Sequence, residues 1–521
     1  MSYRINILIL FIALGIHSNL YTQDTTWIRV FGDNENMIAN SIIESYDHGF
    51  VIGGYTKPPT GQSGFVKDGI LIKTDINGNE LWRKTIGEPD DNGTGGIIVR
   101  QTNDGGYILF GCTYKFGNNN VFLMKLNACG EKEWNKIFIS EHRSQWNIDM
   151  LIMEDDNYLL LLSYWGNNGT NERVWLFKVL DSGNIDWQKV YANWNPSSNN
   201  EEGRDIIKYG DNEYLISGDY YESQVGIDSN WRFVRPMFIG IDSTGDELWH
   251  TLWGLDNFHI GRSFKSAITS NNMIYSVGRN STESIGGKKP VLYKLNSDGN
   301  QLYHKTLVNN SKIGAATTIN ILDDTTLLIG SSIRDFDDIQ HVTIHKTDTL
   351  GNILHETELI GTDHFIASSI LTYDQKLLIV GSGYLDDNWD IYLYKFNRNL
   401  VYDSIYTQAI IYDSLCPYQI VSDTISLDTT TVNLDELYSQ MHEIEVFPNP
   451  TSSELNIVLG DLSDGTHINL YNSKGECVLS LPVQKNKRKY QINVDNLSSG
   501  LYIVILKNNN MIVDKKKVMI E

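Results

Sequence analysis

Cysteine is scarce in this chain of 521 residues, which has only Cys112, Cys129, Cys416 and Cys477. No two of them stand at the CxxC spacing of a metal or redox site, so cysteine-bound metals and dithiol chemistry are not expected. The scattered positions also give no disulfide framework. A bridge between Cys112 and Cys129 is not predicted, because Cys112 ends one expected strand whereas Cys129 lies in the turn beyond the next.

Recognisable catalytic signatures are missing as well. The histidines are dispersed without an HExxH motif, and GxSxG does not occur, since GQSG at residues 61–64 lacks the final spacing. Those motifs would place the zinc ligands of a metalloprotease or the nucleophile of a hydrolase. The sequence therefore assigns no catalytic residue and no metal ligands.

Long apolar runs are confined to the N-terminus. Arg4 precedes an apolar run over residues 5–16, and polar residues follow to Gln23. This is the order of a secretory signal peptide, so we predict that residues 1–23 are removed. The run is short for a bilayer span, and an uncleaved anchor is the alternative. No transmembrane helix is expected after signal removal.

Positive charge is in deficit, with 42 Lys and Arg against 64 Asp and Glu and a formal net charge of −22. Residues 444–521 contain nine Lys and Arg against eight Asp and Glu, so the rest of the chain carries the whole deficit. A strongly acidic body repels phosphate backbones. Nucleic acid is therefore not expected as a partner.

The dominant feature that is present is a repeat: an apolar strand, a tight turn with Asp and Gly, and a strand that opens on an aromatic residue. Clear copies read ILIKTDINGNELW, FIGIDSTGDELW and LYKLNSDGNQLY, at residues 70–82, 238–249 and 292–303. Glycine supplies the positive φ that such a turn needs. The opening residues of the last strand are Trp27, Trp82, Trp134, Trp187, Trp249, Tyr303, Leu354 and Tyr402. Their spacing is typical of one four-stranded propeller blade per repeat.

A second recurring pattern predicts the number of blades. Each unit contains a short turn and an apolar strand that usually ends in glycine, as in DGGYILFG at residues 104–111, and seven such strands occur. We therefore predict an all-β fold with a seven-bladed β-propeller over residues 24–407. Each blade is expected to have four strands, A to D, from the axis outward.

The outer-strand pattern occurs once more than seven blades require. The last copy, at Tyr402, lacks both the Trp and the turn Gly, because Asn399 stands at the glycine position, whereas the first copy, TTWIRVFG, is intact. We predict that the strand at Trp27 completes blade seven. This closure would tie the two ends of the ring together and leave no exposed sheet edge.

These units resemble the secreted bacterial β-propeller repeats that run from a Gly-rich strand end through a DGN turn to a Trp strand. The resemblance covers residues 24–407 and implies a fold rather than a chemistry. The turns are also similar to the tryptophan-docking repeats of quinoprotein dehydrogenases and to the Asp boxes of sialidases. However, residues 242–249 are one residue shorter than the first pattern, and both spacings in the second are one residue longer here. We interpret the turns as structural hairpins.

The connections between strands predict where function lies. The A-to-B and C-to-D turns are short, whereas the B-to-C and D-to-A connections are long and lie together on the opposite face, here called the long-loop face. Trp146, Trp165, Trp194, Trp231 and Trp389 are assigned to these loops. Aromatic faces stack on sugar rings and polar groups bond their hydroxyls. The predicted ligand-binding residues, on blades three and four, are Trp165, Trp194, Tyr220, Tyr221, Trp231 and Arg232. The alternative is that the aromatics only pin long loops.

Calcium is the one metal that the loops suggest. Acidic segments at residues 90–93, 335–338 and 386–390 offer oxygen ligands of the kind that Ca²⁺ prefers. None has EF-hand spacing, so we expect solvated loops and no cofactor, with calcium as the alternative.

The C-terminal part has a different texture. Residues 408–443 lose the repeat and are rich in Ser, Thr and Asp, which predicts a linker or, as the alternative, a small strand-bearing extension. Residues 444–521 alternate in short strands, which predicts a small Ig-like β-sandwich.

Motifs within this sandwich resemble the type A C-terminal sorting domain of the type IX secretion system of Bacteroidetes-type bacteria. They are FPNP, INLYNSKG, LSSGLYIV and KKKVMI, in that order. The matching residues are Pro448, Asn449, Pro450, Gly475, Gly500, Tyr502, Lys515, Lys516 and Lys517. The resemblance implies recognition by the type IX machinery and cleavage by a sortase-like peptidase at the outer membrane.

The sequence as a whole predicts a secreted or cell-surface propeller that is exported after signal-peptide removal. Its expected role is non-catalytic binding of a glycan or a surface protein through the long-loop face. The alternative is an extracellular carbohydrate-active enzyme that uses the same face.

Overall fold

The structure is a computed structural model that describes residues 27–521 with gaps. The gaps are residues 33–35, 58–67, 88–92, 118, 141–142, 167–172, 192–200, 224–231, 255–259, 282–287, 309–311, 335–339, 360–363, 386–387, 435–443, 460–465, 485–486, 488 and 509–510. Within the described ranges, no helix has the length and apolar character that a membrane crossing requires.

The first twenty-eight strands form antiparallel sheets of four. They are β1 (Ile28–Phe31), β2 (Asn36–Glu44), β3 (Phe50–Lys57), β4 (Gly69–Thr74), β5 (Glu80–Ile86), β6 (Thr94–Gln101), β7 (Tyr107–Thr113), β8 (Asn120–Leu126), β9 (Lys132–Ile139), β10 (Arg143–Ile152), β11 (Tyr158–Gly166), β12 (Arg173–Val179), β13 (Ile185–Tyr191), β14 (Glu201–Gly210), β15 (Glu213–Ser223), β16 (Arg232–Asp242), β17 (Glu247–Leu252), β18 (Ile260–Ile268), β19 (Ile274–Ser281), β20 (Lys289–Leu295), β21 (Gln301–Thr306), β22 (Ile313–Asp323), β23 (Thr326–Arg334), β24 (Gln340–Asp348), β25 (Ile353–Glu358), β26 (His364–Leu371), β27 (Leu377–Leu385) and β28 (Asn388–Phe396).

These strands build a closed ring of sheets. Strands β2 to β25 pair in consecutive groups of four, which are blades one to six, and β26, β27, β28 and β1 form blade seven. The innermost strand of each blade contacts the innermost strand of the next, and β26 of blade seven contacts β2 of blade one. The all-β propeller architecture predicted from the repeat is thereby confirmed.

The N-terminal strand closes the ring as predicted. Strand β1 pairs antiparallel with β28, with Ile28 opposite Tyr394 and Phe31 opposite Ile391. Trp27 is buried and its ring meets Phe50 of blade one edge-on, at 6.4 Å between centroids. The outer strand of blade seven therefore comes from the opposite end of the propeller sequence, and Tyr402 makes only an isolated bridge to Phe396.

The repeat pairs glycine with tryptophan because the two meet between neighbouring blades. Gly299, in the C-to-D turn of blade five, has φ +77°, and a Cβ built there would lie 2.2 Å from the ring of Trp249, which belongs to blade four. A side chain at this position would conflict both with the backbone conformation and with the neighbouring indole. The turn of blade one meets Trp27 of blade seven in the same way.

Residues 403–434, here called the strap, contain two short strands that lie against blades one and two. Strand β29 (Asp423–Ile425) pairs parallel with β5, and β30 (Thr431–Asn433) pairs parallel with β9. A disulfide joins Cys416 of the strap to Cys129 of blade two. Cys112 is buried and unbridged, which confirms that Cys112 and Cys129 do not pair.

The C-terminal unit is a sandwich of two sheets. Its strands are β31 (Glu445–Phe447), β32 (Glu454–Val458), β33 (Thr466–Tyr471), β34 (Cys477–Pro482), β35 (Lys489–Asn493), β36 (Gly500–Asn508) and β37 (Met511–Ile520). One sheet has the order β31-β32-β35 and the other β34-β33-β36-β37. Alternate residues such as Leu455, Ile468 and Val504 are fully buried between the sheets.

Candidate functional site

A cavity of about 350 Å³ lies at the propeller axis and is here called the axial cavity. Its walls come from the innermost strands β2, β6, β10, β14, β18 and β26, together with residues at the long-loop ends of β3 and β7. The volume lies within the range of small-molecule sites. The site is therefore shared by six blades.

A register shift in the innermost strand of every blade shapes this cavity. Each A-to-B pair skips one or two residues of strand A, as a β-bulge does. Bulges redirect the skipped side chains out of the sheet pattern. The skipped residues that line the cavity are Asn40, Gly96, Ile148, Arg204 and Ala367.

Aromatic and amide side chains form the wall on blades one to three. Trp146 of β10 is 44% exposed, which is high for a tryptophan that lines a cavity, and Tyr55 and Tyr114 lie on the same wall. The side-chain oxygens of Asn40 and Asn119, which also line the cavity, are buried and accept no hydrogen bond from the described part of the chain. Buried acceptors of this kind carry a desolvation cost of about 1–3 kcal/mol each.

Asn147 and Cys112 are fixed parts of the same wall. The Asn147 side chain donates to the carbonyl of Phe110 at 3.0 Å, and its oxygen accepts from the Cys112 thiol at 2.7 Å. Burial raises the pKa of Cys112 to about 12. The thiol therefore stays protonated at neutral pH and is not a nucleophile.

A network of charged side chains on blades two to five adjoins the cavity, and its two aspartates are buried. Lys265 Nζ donates to Asp149 Oδ2 at 2.6 Å and to Asp205 Oδ1 at 2.7 Å, and Arg100 Nη2 donates to Asp149 Oδ1 at 2.7 Å. Each of these four residues belongs to the innermost strand of a different blade, from two to five. The network therefore ties four blades together at the axis.

The two carboxyl groups of this network differ in protonation. Burial opposes ionisation of Asp149, but the charges of Lys265 and Arg100 outweigh it and hold its pKa below the ordinary value. Burial raises the pKa of Asp205 to about 7, and the neighbouring Asp149 charge adds to this effect although Lys265 opposes it. Near neutral pH the pair thus combines a carboxylate with a carboxyl group that exchanges its proton.

A second charge cluster adjoins the cavity at the long-loop ends of blades four and five. Arg204 Nε and Arg262 Nη1 both donate to Asp219 Oδ2 at 3.1 Å, and Arg262 Nη2 donates to the Tyr221 hydroxyl at 2.6 Å. Glu202 forms a further ion pair with Arg204. Because Arg204 also lines the axial cavity, the cluster continues from its wall.

The ligand-binding residues predicted on blades three and four are placed as follows. Tyr220 is buried in the hydrophobic core of blades three and four, and Tyr221 is buried in the charge cluster just described. Trp165 and Arg232 belong to β11 and β16, but their side chains lie outside the described part. Trp194 and Trp231 lie outside the described residues altogether. Their role in binding stays a prediction.

Three tryptophans assigned to loops, Trp146, Trp165 and Trp389, lie in strands. Trp146, which the sequence assigned to a loop together with other tryptophans, belongs to β10 and lines the axial cavity. Trp389 belongs to β28 and packs on Phe365 and Tyr384, at 5.7 and 5.5 Å between ring centroids. The loop assignment was wrong because the strands extend further toward the long-loop face than the repeat pattern indicated.

The described residues offer no metal site: no group of three His, Cys, Asp or Glu side chains in them could hold an ion. The acidic segments considered for calcium lie almost wholly outside the described ranges, with Gly93, Asn388, Trp389 and Asp390 as the exceptions. Calcium binding there stays a prediction.

The sorting-motif residues meet at one end of the sandwich. Asn449 Nδ2 donates to the Lys517 carbonyl at 3.0 Å, and Asn449 Oδ1 accepts from the backbone of Met519 at 2.8 Å. Pro448 and Pro450 flank this asparagine, and Lys515, Lys516 and Lys517 are exposed on the strand that it holds. The Tyr502 hydroxyl donates to the Ser498 carbonyl, while Gly475 and Gly500 adopt positive φ. The first and last motifs are thus joined by one side chain.

Comparison with known families matches residues 445–521 to the family described as secretion system C-terminal sorting domain. A search of curated protein sequences gives no match.

Several solved structures are distantly similar to the chain. An ulvan lyase, described as a new family of polysaccharide lyase and bound to -[GlcA(1-4)Rha3S]-, is 12% identical, with a TM-score of 0.48 over 70% of this chain and 95% of that one. A protein of unknown function from Dyadobacter fermentans is 11% identical, with a TM-score of 0.44 over 71% and 97%. An α-L-arabinofuranosidase of Fusarium graminearum with arabinobiose is 11% identical, with a TM-score of 0.37 over 70% and 97%. These likenesses are too low to transfer the role of any residue.

Proposed function

We propose that this protein, which the type IX secretion system exports to the cell surface or the extracellular space, binds a glycan in the axial cavity without transforming it. The observation that carries the proposal is the exposed indole of Trp146 in a cavity that is also lined by amides, tyrosines and charged side chains. A flat apolar face next to fixed polar groups is the arrangement that sugar rings require.

The amides of the wall support the same ligand class. Sugar hydroxyls are donors, and the oxygens of Asn40 and Asn119 lack a donor in the described structure. Whereas the Asn119 amide is held by its donation to the Gln145 carbonyl at 2.6 Å, rotation of the Asn40 amide about its terminal bond would turn its oxygen toward a bound hydroxyl. Such a bond would recover the cost of the unpaired acceptor, which an apolar ligand could not do.

Replacing Trp146 with Ala should weaken glycan binding about tenfold or more, because the stacking face is lost; a tenfold change corresponds to about 1.4 kcal/mol. Residues 24–521, here called the full mature chain, would be screened on an array of neutral and acidic oligosaccharides, and the best ligand titrated by calorimetry. Tyr373→Ala is the matched control, since Tyr373 is 52% exposed but lies in an A-to-B turn on the opposite face. If both variants bind like the wild type, the axial cavity is not the site.

A second candidate function, a carbohydrate-active enzyme, is favoured by the Asp149–Asp205 pair. Acid–base chemistry on glycans generally uses two carboxyl groups, one protonated and one ionised, and the pKa values of Asp149 and Asp205 diverge in this way. Against this role, both are buried and both bind Lys265, which is an arrangement that also serves to hold blades together. Release of reducing ends from the best array ligand by the wild type, and its loss in Asp205→Asn, would support the enzyme over the binding protein.

A further inference from the structure

A second cavity, of about 470 Å³, opens between blades five and six and is here called the basic cleft. It is lined by the cations Arg279, Lys288 and Arg334, with Ser332 and Gln340 beside them. None of the described residues that line it is acidic. Three cations around one cavity are unusual in a chain whose formal net charge is −22.

Arg279 and Lys288 lack full compensation from the described residues. Arg279 Nε is buried and donates to no acceptor in the described residues. Lys288 is exposed and forms no ion pair within the described ranges, while burial and the charges of Arg279 and Arg262 lower its pKa. Like charges held this close repel each other, and an anion between them would relieve that repulsion.

The cleft has a fixed backbone. The Gly314 amide donates to the Lys288 carbonyl at 2.7 Å, which joins the start of blade six to the segment that carries the lysine. A Cβ at Gly314 would lie 2.1 Å from the Ser332 carbonyl oxygen, so the two segments approach as closely as glycine allows. Lys288 is therefore held at the cleft by its backbone rather than by an ion pair.

A basic track connects the cleft with the axial cavity. The ring of Phe264, the residue skipped in the register shift of blade five, lies 5.9 Å from the guanidinium of Arg204 and 5.8 Å from that of Arg279. Arg204 lines the axial cavity and Arg279 lines the cleft. Along this track, four cations are opposed by two acids in the described residues: Arg204, Arg262, Arg279 and Lys288 against Glu202 and Asp219.

We propose that the basic cleft binds the oxyanion groups, sulfate or carboxylate, of an anionic glycan. The inference rests on the proposed function, from which it takes the glycan, and adds that this glycan is anionic. The sugar ring stacks in the axial cavity, and the acidic substituents reach the basic cleft. Arginine and lysine side chains are the groups that proteins use to hold such oxyanions.

Dextran and dextran sulfate are the probes that test this proposal, because they share one backbone and differ in sulfate. The full mature chain should bind dextran sulfate at least about tenfold more tightly than dextran, and added salt should weaken the sulfated complex. Lys288→Gln should lose about tenfold in affinity for dextran sulfate. Lys474→Gln, which makes the same charge change at an exposed position of the C-terminal sandwich, should lose nothing. Alginate, a carboxylated polymer, forms a third arm that separates carboxylate from sulfate recognition.

The outcomes distinguish this proposal from the one on which it rests. If Lys288→Gln binds dextran sulfate and alginate like the wild type, the basic cleft is not the anion site, whatever Trp146→Ala does. If Lys288→Gln no longer binds dextran sulfate and alginate while Trp146→Ala still binds the array ligands, the basic cleft is supported as the anion site and the axial cavity is not the glycan site. Equal loss in Lys474→Gln would mean that net charge alone attracts the polymers, which also overturns the cleft.

Discussion

Trp27→Ala should lower the free energy of unfolding by about 3–5 kcal/mol, the cost of emptying a buried tryptophan site. Trp27 is 1% exposed and fills the seam between the last blade and the first. It meets Phe50 of blade one, and a Cβ on Gly78 in the turn of that blade would lie within 2.9 Å of the indole. The cavity would thus form beside blade seven, whose outer strand β1 is held to β28 by hydrogen bonds and not by a chain connection.

Thermal and urea unfolding of the full mature chain measure this effect. Val30→Ala is the matched control, because Val30 lies on the same strand but is 51% exposed, so its loss should change stability little. Deletion of residues 24–33 should destabilise more than Trp27→Ala, since it also removes the pairing with β28 and leaves a sheet edge open. An unchanged melting temperature after the deletion would contradict the closure of the ring by β1.

The second large effect is a contrast between two aspartates that bind the same lysine. At neutral pH, Asp149→Asn should cost about 3–5 kcal/mol, because Lys265 and Arg100 would lose the carboxylate they share in a buried site. Asp205→Asn should cost less, since burial and the Asp149 charge oppose ionisation of Asp205; its remaining cost comes from the amide NH2, which would face either Lys265 or the Ser266 backbone N–H.

The two aspartates should affect the pH dependence of folding stability in opposite directions. Asp205 has a pKa of about 7 in the folded protein against an ordinary value of 3.8, so the folded state keeps a proton that the unfolded chain has released. Stability therefore falls as pH rises from about 4 to about 7, by about 4 kcal/mol for a shift of this size. Asp149 has the opposite shift, and its contribution is present above pH 3.8 and lost as pH falls below that value.

Urea unfolding of the wild type and both variants across this pH range separates the two roles. We expect Asp205→Asn to reduce the fall in the free energy of unfolding between about pH 4 and about pH 7. Above about pH 7 the variant should be at least as stable as the wild type. Glu154→Gln is a suitable control, because Glu154 forms an exposed pair with Lys208 at the short-turn end of the blade. If the two aspartate variants lose the same stability at every pH, then Asp205 is ionised and the assignment is wrong.

The fold could be predicted because its determinants are local and repeated. The turn glycine and the tryptophan recur in most blades, since the indole of one blade packs on the turn glycine of the next. Because the outer-strand pattern recurs and occurs once more than seven blades require, the extra copy at Trp27 indicated the closure of the ring. In the C-terminal unit, Asn449 holds the last strand, so the motifs at its two ends occur together in the sequence.

The axial site could not be predicted because it depends on six blades at once. Asn40 and Arg204 reach the cavity through register shifts that leave no signature in the sequence. Trp146 lay in a segment that the repeat assigned to a loop, whereas the structure continues β10 through it. The bond between Cys129 and Cys416 spans 287 residues, and four cysteines alone allow three pairings.

The most direct test of the central claim, that the axial cavity is a glycan site, is a crystal structure of the full mature chain with its best array ligand. The account predicts a sugar ring stacked on Trp146, with hydroxyls bonded to the side chains of Asn40 and Asn119. Electron density for the sugar on the loops of blades three and four, with the axial cavity free of it, would contradict the account.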